Sequence, residues 1–352
     1  MSDVAAKPGE APAAAPADKA PAKPALPARR RDLAPLLLLP VLALVALPLV
    51  GSLSTWATLT LSGLAMGMII FIIASGLTLV FGLMNVLNFG HGAFISVGAY
   101  AAAVLAPALT GLMRADALAL NLVALLALIA LAMAVTAVIG YAFERAIIMP
   151  VYGQHLKQIL VTVGGLIVAE QLIVAVFGPV QIPLLLPAAF RGSVIFGDVA
   201  IERYRLIAVV VGLAIFIAML LVLNRTRIGL LIRAGVENGE MVEALGYHIR
   251  RLFVGVFMAG SALAGLGGVM WGFYREQLTP GMGMDVMVLV FIVVVIGGLG
   301  SVGGCFIGSL LVAVMANYTG FLAPKLALGS NILLMAAILL WRSRGLYPVT
   351  QR

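Results

Sequence analysis

Eight stretches of this chain run for about the 20 residues that a helix needs to cross a bilayer, with scarcely a charge among them. They are residues 33–50, 60–82, 93–109, 118–143, 159–177, 204–223, 252–273 and 303–321; two shorter ones, 285–299 and 328–341, follow the same pattern. A water-facing fold has nowhere to put so many such runs. Nor is there polar material to cover them: 63% of the 352 residues are hydrophobic and 10% charged, where soluble domains carry roughly 25% charged residues. The chain therefore reads as an all-α polytopic membrane protein with about ten transmembrane helices. A soluble enzyme and a disordered chain are excluded, and so is a nucleic-acid-binding protein, despite the net charge of +8.

The distribution of Lys and Arg gives an orientation. With the N-terminus inside and ten alternating spans, the inner segments hold sixteen of the 22 Lys and Arg residues and the outer segments six. Removing the three lysines of the N-terminal tail leaves thirteen against six. Both termini are then cytoplasmic. Residues 1–32 are rich in Ala, Pro and Lys and end in Arg29-Arg30-Arg31-Asp32. Such a stretch has nothing to pack and is expected to be a disordered tail. Residues 33–345 form the membrane domain.

Two segments between spans carry local signals. Residues 178–203, on the outer side, contain Pro179, Pro183 and Pro187 and then two short apolar runs around Gly197-Asp198. That pattern predicts a small hairpin, either a docking surface or a plain connector. Residues 225–251 form the longest inner loop. From Arg233 onward it reads as a short helix stopped by Gly246. Glu237, Glu240 and Glu243 form one side, and Met241 and Leu245 lie on the apolar side with Val236 and Val242. Elsewhere, small residues recur at four-residue spacing, as in Gly63 and Gly67, or Gly260, Ala264 and Gly268. That spacing suits close helix packing.

Catalytic and cofactor motifs are lacking. There is no G-x-x-x-x-G-K-[ST], H-E-x-x-H or G-x-S-x-G. One cysteine, Cys305, and three scattered histidines leave no metal site, and no bound cofactor is expected. Gly298-Leu-Gly300-Ser301-Val-Gly303 matches a dinucleotide fingerprint and follows a strand-like run, Val288 to Ile296. The ribose-binding acid about 20 residues on is missing, because no Asp or Glu follows Asp285. The glycines Gly297, Gly298, Gly300 and Gly303, with Ser301, mark a tight turn instead. Asn85, Asn88 and His91 sit in Asn85-Val-Leu-Asn88-Phe-Gly90-His91-Gly92, directly after a long apolar run. They either line a path at a broken helix or cap an interfacial turn. Glu170 falls mid-span, where a carboxylate is expensive unless it faces protein or water. It is a path residue or a structural partner.

The string from Gly76 to Tyr100, with Asn88-Phe-Gly-His-Gly92 at its centre, resembles the signature of branched-chain amino-acid ABC transporter permeases. Gly297-Gly-Leu-Gly-Ser-Val-Gly-Gly304 resembles that family's second signature, and Arg233 to Gly246 occupies the place of its cytoplasmic coupling loop. The resemblance covers roughly residues 55–345. It implies a type II-like importer permease in a bacterial inner membrane, working by alternating access. It further implies a second permease subunit, two ATPase subunits that use ATP, and a periplasmic substrate-binding protein. Glu237, Glu240, Met241, Glu243, Leu245 and Gly246 would then couple to the ATPase. The implied solute is a branched-chain amino acid, with urea, amides, aromatic acids or sugars as alternatives within the superfamily. A stand-alone secondary transporter is the rival reading, with Glu170 its one candidate coupling acid.

Overall fold

A computed structural model describes residues 33–348 apart from residue 238; the tail of residues 1–32 lies outside the described residues. All ten apolar windows fall on helices. These are α1 (Ala34–Val50), α2 (Leu53–Met84), α3 (His91–Leu105), which runs on through a 3-10 turn into α4 (Thr110–Arg114), α5 (Leu118–Phe143), α6 (His155–Phe177) and α7 (Arg203–Arg225). After two short helices come α10 (Ile249–Arg275), α11 (Met282–Gly297), α12 (Val302–Leu322) and α13 (Ala327–Trp341). Among the described residues, seven continuous helices are long and apolar enough to cross a membrane: α2, α3 through α4, α5 through Val151, α6, α7, α10 and α12. Ala34–Val50, Met282–Gly297 and Gly329–Trp341 are apolar but shorter.

The core is built around α2, which packs on α12, α10 and α7. Every residue from Met68 to Thr78 is buried. A helix apolar on all sides belongs in the middle of a bundle. Glycines set the spacing at its crossings. Gly76 of α2 and Gly260 of α10 meet backbone to backbone, as do Gly98 of α3 and Gly265 of α10. The four-residue small-residue pattern is therefore spent on helix packing.

The run from Val288 to Ile296, strand-like in sequence, is helical and belongs to α11. Its apolar residues are buried on several sides by neighbouring helices, which is why it shows no alternation. At 16 residues α11 is about 24 Å long, shorter than the hydrocarbon. Its end is sealed by protein instead: the backbone N–H of Leu346 donates to the Ile296 carbonyl (2.8 Å) and that of Tyr347 to the Gly297 carbonyl (3.1 Å).

The loop after α7 is helical from Arg227, earlier than the start expected near Arg233: α8 (Arg227–Glu237) and α9 (Gly239–Ala244) lie on either side of residue 238, which is outside the described residues. Gly246 has a φ of +88° and its N–H bonds to the Glu243 carbonyl, ending the second. The segment before α7 holds the expected hairpin: β2 (Ser193–Phe196) and β3 (Val199–Glu202) pair antiparallel around Gly197-Asp198. A second pair, β1 (Ile182–Pro183) with β4 (Gln277–Leu278), ties this segment to the end of α10. Asn121 of α5 holds it too, accepting from the Ala189 N–H at 3.1 Å.

Candidate functional site

The break between α2 and α3 positions the Asn/His patch. Asn85 ends α2 in the left-handed conformation (φ 52°), with its N–H on the Phe81 carbonyl. Residues 85–90 then turn back along the bundle. His91, the first residue of α3, places Nε2 2.9 Å from the Ile73 carbonyl. Ile73 lies 12 residues back along α2, about 18 Å from Asn85. The loop closes in a turn, with the His91 N–H on the Asn88 carbonyl at 3.3 Å, and the His91 ring spans the remaining distance from the start of α3 to Ile73. A carbonyl can only accept, so Nε2 carries the proton and Nδ1 of a neutral ring is an acceptor. That Nδ1 is buried without a partner, and so are both Oδ1 and Nδ2 of Asn88.

One face of α6 runs beside this re-entrant loop. Gln158, Thr162 and Leu166 are buried at four-residue spacing, and Glu170 continues the row half-buried. Gln158 shares with Asn85 a cavity of about 290 Å³, closed by Met84, Tyr152, Gly235 and Phe253. Thr162 Oγ1 accepts from the Phe89 N–H at 3.2 Å. Leu166 faces Gly92, and Glu170 Oε1 lies 3.5 Å from where a Cβ on Gly281 would stand. Gly281 is the N-cap of α11, so the Glu170 carboxylate sits at the positive end of that helix. Asn85, Phe89 and Gly92 thus meet Gln158, Thr162 and Leu166 in that order along α6, with Glu170 one turn further on, while the His91 ring points to α2.

The two glycine-bearing signatures also meet. A Cβ on Gly82 would sit 2.6 Å from the Gly300 Cα, and one on Gly300 2.7 Å from the Gly82 Cα. Gly298 and Gly300 have φ of +92° and +80°. Gly297 packs directly on Gly304 across the turn. Ser301 caps α12, its Oγ accepting from the Gly304 N–H at 3.1 Å. Gly303 is different, since nothing lies within 4 Å of where its Cβ would stand. It is not one of the glycines that the turn's crowding requires.

In the loop after α7, Glu240, Met241, Glu243 and Leu245 are exposed, while Val242 and Ile232 are buried and anchor the segment. Glu237 ends α8.

One buried acid escaped the sequence reading. Glu144 opens a π-helical turn (Glu144–Ile148) at the end of α5, is buried, and leaves Oε2 without a partner. The signal was present: an acid directly after the last residue of a 26-residue apolar helix. Nearby, Tyr152 donates to the Met84 carbonyl at 2.9 Å. Burial, aided by the Glu144 charge, holds its phenol above the ordinary 10, so the donor keeps its proton.

Comparison with known proteins gives these features a context. The family described as "branched-chain amino acid transport system / permease component" matches residues 59–341. The chain belongs to this family. Its signature patches are the two segments that touch at Gly82 and Gly300. The permease is 30% identical over 261 residues to the high-affinity branched-chain amino acid transport system permease protein BraD of Pseudomonas aeruginosa, covering 72% of this chain and 82% of that one. It is 26% identical to LivH of Escherichia coli K12 over the same shares of each chain. The probable LivH of Methanocaldococcus jannaschii is 24% identical over 80% of this chain and 89% of its own. No solved structure matches the chain. It is a multi-pass membrane permease, a transport subunit and not an enzyme.

The position of Glu170 allows a direct test. Glu170→Gln keeps the shape and removes the charge at the α11 N-terminus, a loss of about 0.3–1 kcal/mol. The variant is expected to insert and assemble as wild type and to change uptake. In a Cys305→Ala background, Glu170→Cys should resist lipid-phase maleimides. Ready labelling from lipid would place residue 170 on the outer surface and remove it from the stripe.

Proposed function

We propose that this permease is one membrane half of an ATP-driven importer of branched-chain amino acids in a bacterial inner membrane. The observation that carries the reading is the family match over residues 59–341, which contains every candidate path residue. In this reading α1 to α13 make ten crossings with both ends in the cytoplasm. The short α11 counts as a crossing because protein covers its C-terminal end, and α1 and α13 because they are apolar throughout. A second permease subunit completes the membrane unit, two ATPase subunits bind and hydrolyse ATP, and a periplasmic binding protein delivers the solute. This chain binds no cofactor of its own. Residues 225–251 are the cytoplasmic coupling loop, and 178–203 the periplasmic segment.

The α6 stripe supports a path beside the re-entrant loop. Interrupted helices whose ends meet at mid-depth are a recurring way to present polar groups to a solute inside a membrane. The orphaned atoms of Asn88 and His91 fit a wall that is hydrated or contacted in another state, since leaving each unpaired costs about 1–3 kcal/mol. ATP-driven closure of the ATPases pushes the coupling loop, and the halves rock between two openings.

Uptake of radiolabelled leucine by a strain lacking its own high-affinity system tests the assignment. The permease, expressed with its operon neighbours, should restore saturable uptake that fails when ATP is depleted. Uptake that follows the proton gradient and persists without ATP would support a stand-alone transporter instead.

A further inference from the structure

A wholly aliphatic cavity lies away from the α6 stripe. It is a groove of about 230 Å³ between α1, α12 and α13, walled by Leu38, Val41 and Val45 of α1, Leu311 of α12, and Leu334 and Ile338 of α13. Val41 and Val45 are 53% and 59% exposed, so the groove opens sideways, out of the bundle. At one end the chemistry changes abruptly. Ile338 is followed one turn later by Arg342, whose guanidinium stands 4.6 Å from the centroid of the exposed Trp341 ring. Arg344 is exposed two residues on. No Asp or Glu occurs in α1, in α12, in α13 or anywhere after Asp285.

We infer that this groove holds one acyl chain of an anionic phospholipid, with its phosphate at Arg342 and Arg344. Three arguments converge on that occupant. The walls offer no hydrogen-bond partner, so water gains nothing there and an aliphatic chain does. The groove opens sideways through the exposed Val41 and Val45, the side from which a lipid tail would enter. The cationic end has the sign that anionic head groups seek, and a Trp beside it is the usual companion of the head-group layer. Arginine suits this position because its planar guanidinium donates to phosphate oxygens; Arg342 also donates through Nη1 to the Leu346 carbonyl at 3.3 Å.

The test is lipid retention by the full-length permease, purified in mild detergent and weighed by native mass spectrometry. Palmitoyl-oleoyl phosphatidylglycerol and phosphatidylcholine are supplied in equal amounts. The wild type should retain one phosphatidylglycerol at least fivefold more often than phosphatidylcholine. Arg342→Gln with Arg344→Gln should abolish that preference while leaving weak retention of both lipids. Val41→Trp should fill the groove and lower retention of both. The paired arginine variant leaves the apolar walls intact, so it keeps the test informative if Val41→Trp folds poorly. Equal retention of the two lipids by wild type would overturn the proposal. So would photocrosslinking from residue 41 that captures another permease chain instead of lipid. Because the readout is bound mass, the outcome does not depend on which solute is transported.

Discussion

Gly300→Val is expected to abolish uptake and to leave little folded permease. Two independent penalties fall on one residue. A φ of +80° is a region that β-branched residues avoid, at a cost of order 1–3 kcal/mol. The new Cβ would also stand 2.7 Å from the Gly82 Cα, and a backbone atom in a packed helix cannot swing aside as a side chain can. Relief requires moving α2 or the start of α12, and these two helices form the most extensive contact of the bundle. Two neighbouring substitutions provide scale. Ser301→Ala removes the cap on the Gly304 N–H and should cost about 1 kcal/mol, measurable as a lower melting temperature with uptake retained. Gly303→Ala meets open space and should behave as wild type. If Gly300→Val melted and transported like Gly303→Ala, the contact between the two signature segments would be of no consequence.

Leu245→Asp is expected to separate the permease from its ATPase without disturbing the membrane domain. Leu245 is 69% exposed and Met241, one helical turn earlier, 58%, whereas Val242 between them is buried. The segment is thus held to the body by one side and presents an apolar pair on the other. A helix face of that kind suits the apolar groove of a partner. A charge at either position should lower ATPase copurification at least tenfold and bring uptake to background, while membrane insertion stays normal. Glu243→Gln, on the acidic side, should weaken the complex less and mainly in low salt, because exposed charge pairs contribute little and are screened. Should Met241→Asp and Leu245→Asp both keep the ATPase bound and uptake intact, coupling must reside elsewhere. The segment from Glu144 to Gln154, with its π-helical turn, would be the next place to look.

Much of the architecture is legible in the residues because membrane helices announce themselves by length and lack of charge. The ten windows required no tertiary information, and neither did the hairpin at Gly197-Asp198, whose turn residues are local. The α6 stripe was half legible. Gln158, Thr162 and Glu170 recur at multiples of four in an apolar helix, but what they face depends on where α3 begins. That the His91 ring reaches the Ile73 carbonyl follows from the return of residues 85–90 alongside α2, a long-range geometry that no local pattern encodes. Glu144 was hidden by its place at the boundary of an apolar run, where acids usually find water. Glycine density located the turn at 297–304, yet only neighbours in space separate crowded Gly300 from unconstrained Gly303.

The sealing of α11 by Leu346 and Tyr347 ties the permease's assembly to the order of its synthesis. The ribosome makes α11 some 50 residues before the strand that closes it, so the Ile296 and Gly297 carbonyls stay open while α12 and α13 are inserted. Only when the last stretch emerges can the Gly298–Gly300 turn lock against Gly82. A chain cut short after Arg344 would hold every helix and still lack those two bonds, about 1–3 kcal/mol for each carbonyl left buried and unpaired. Residues 345–347 are therefore a clasp on α11 that can close only after α12 and α13 have been made.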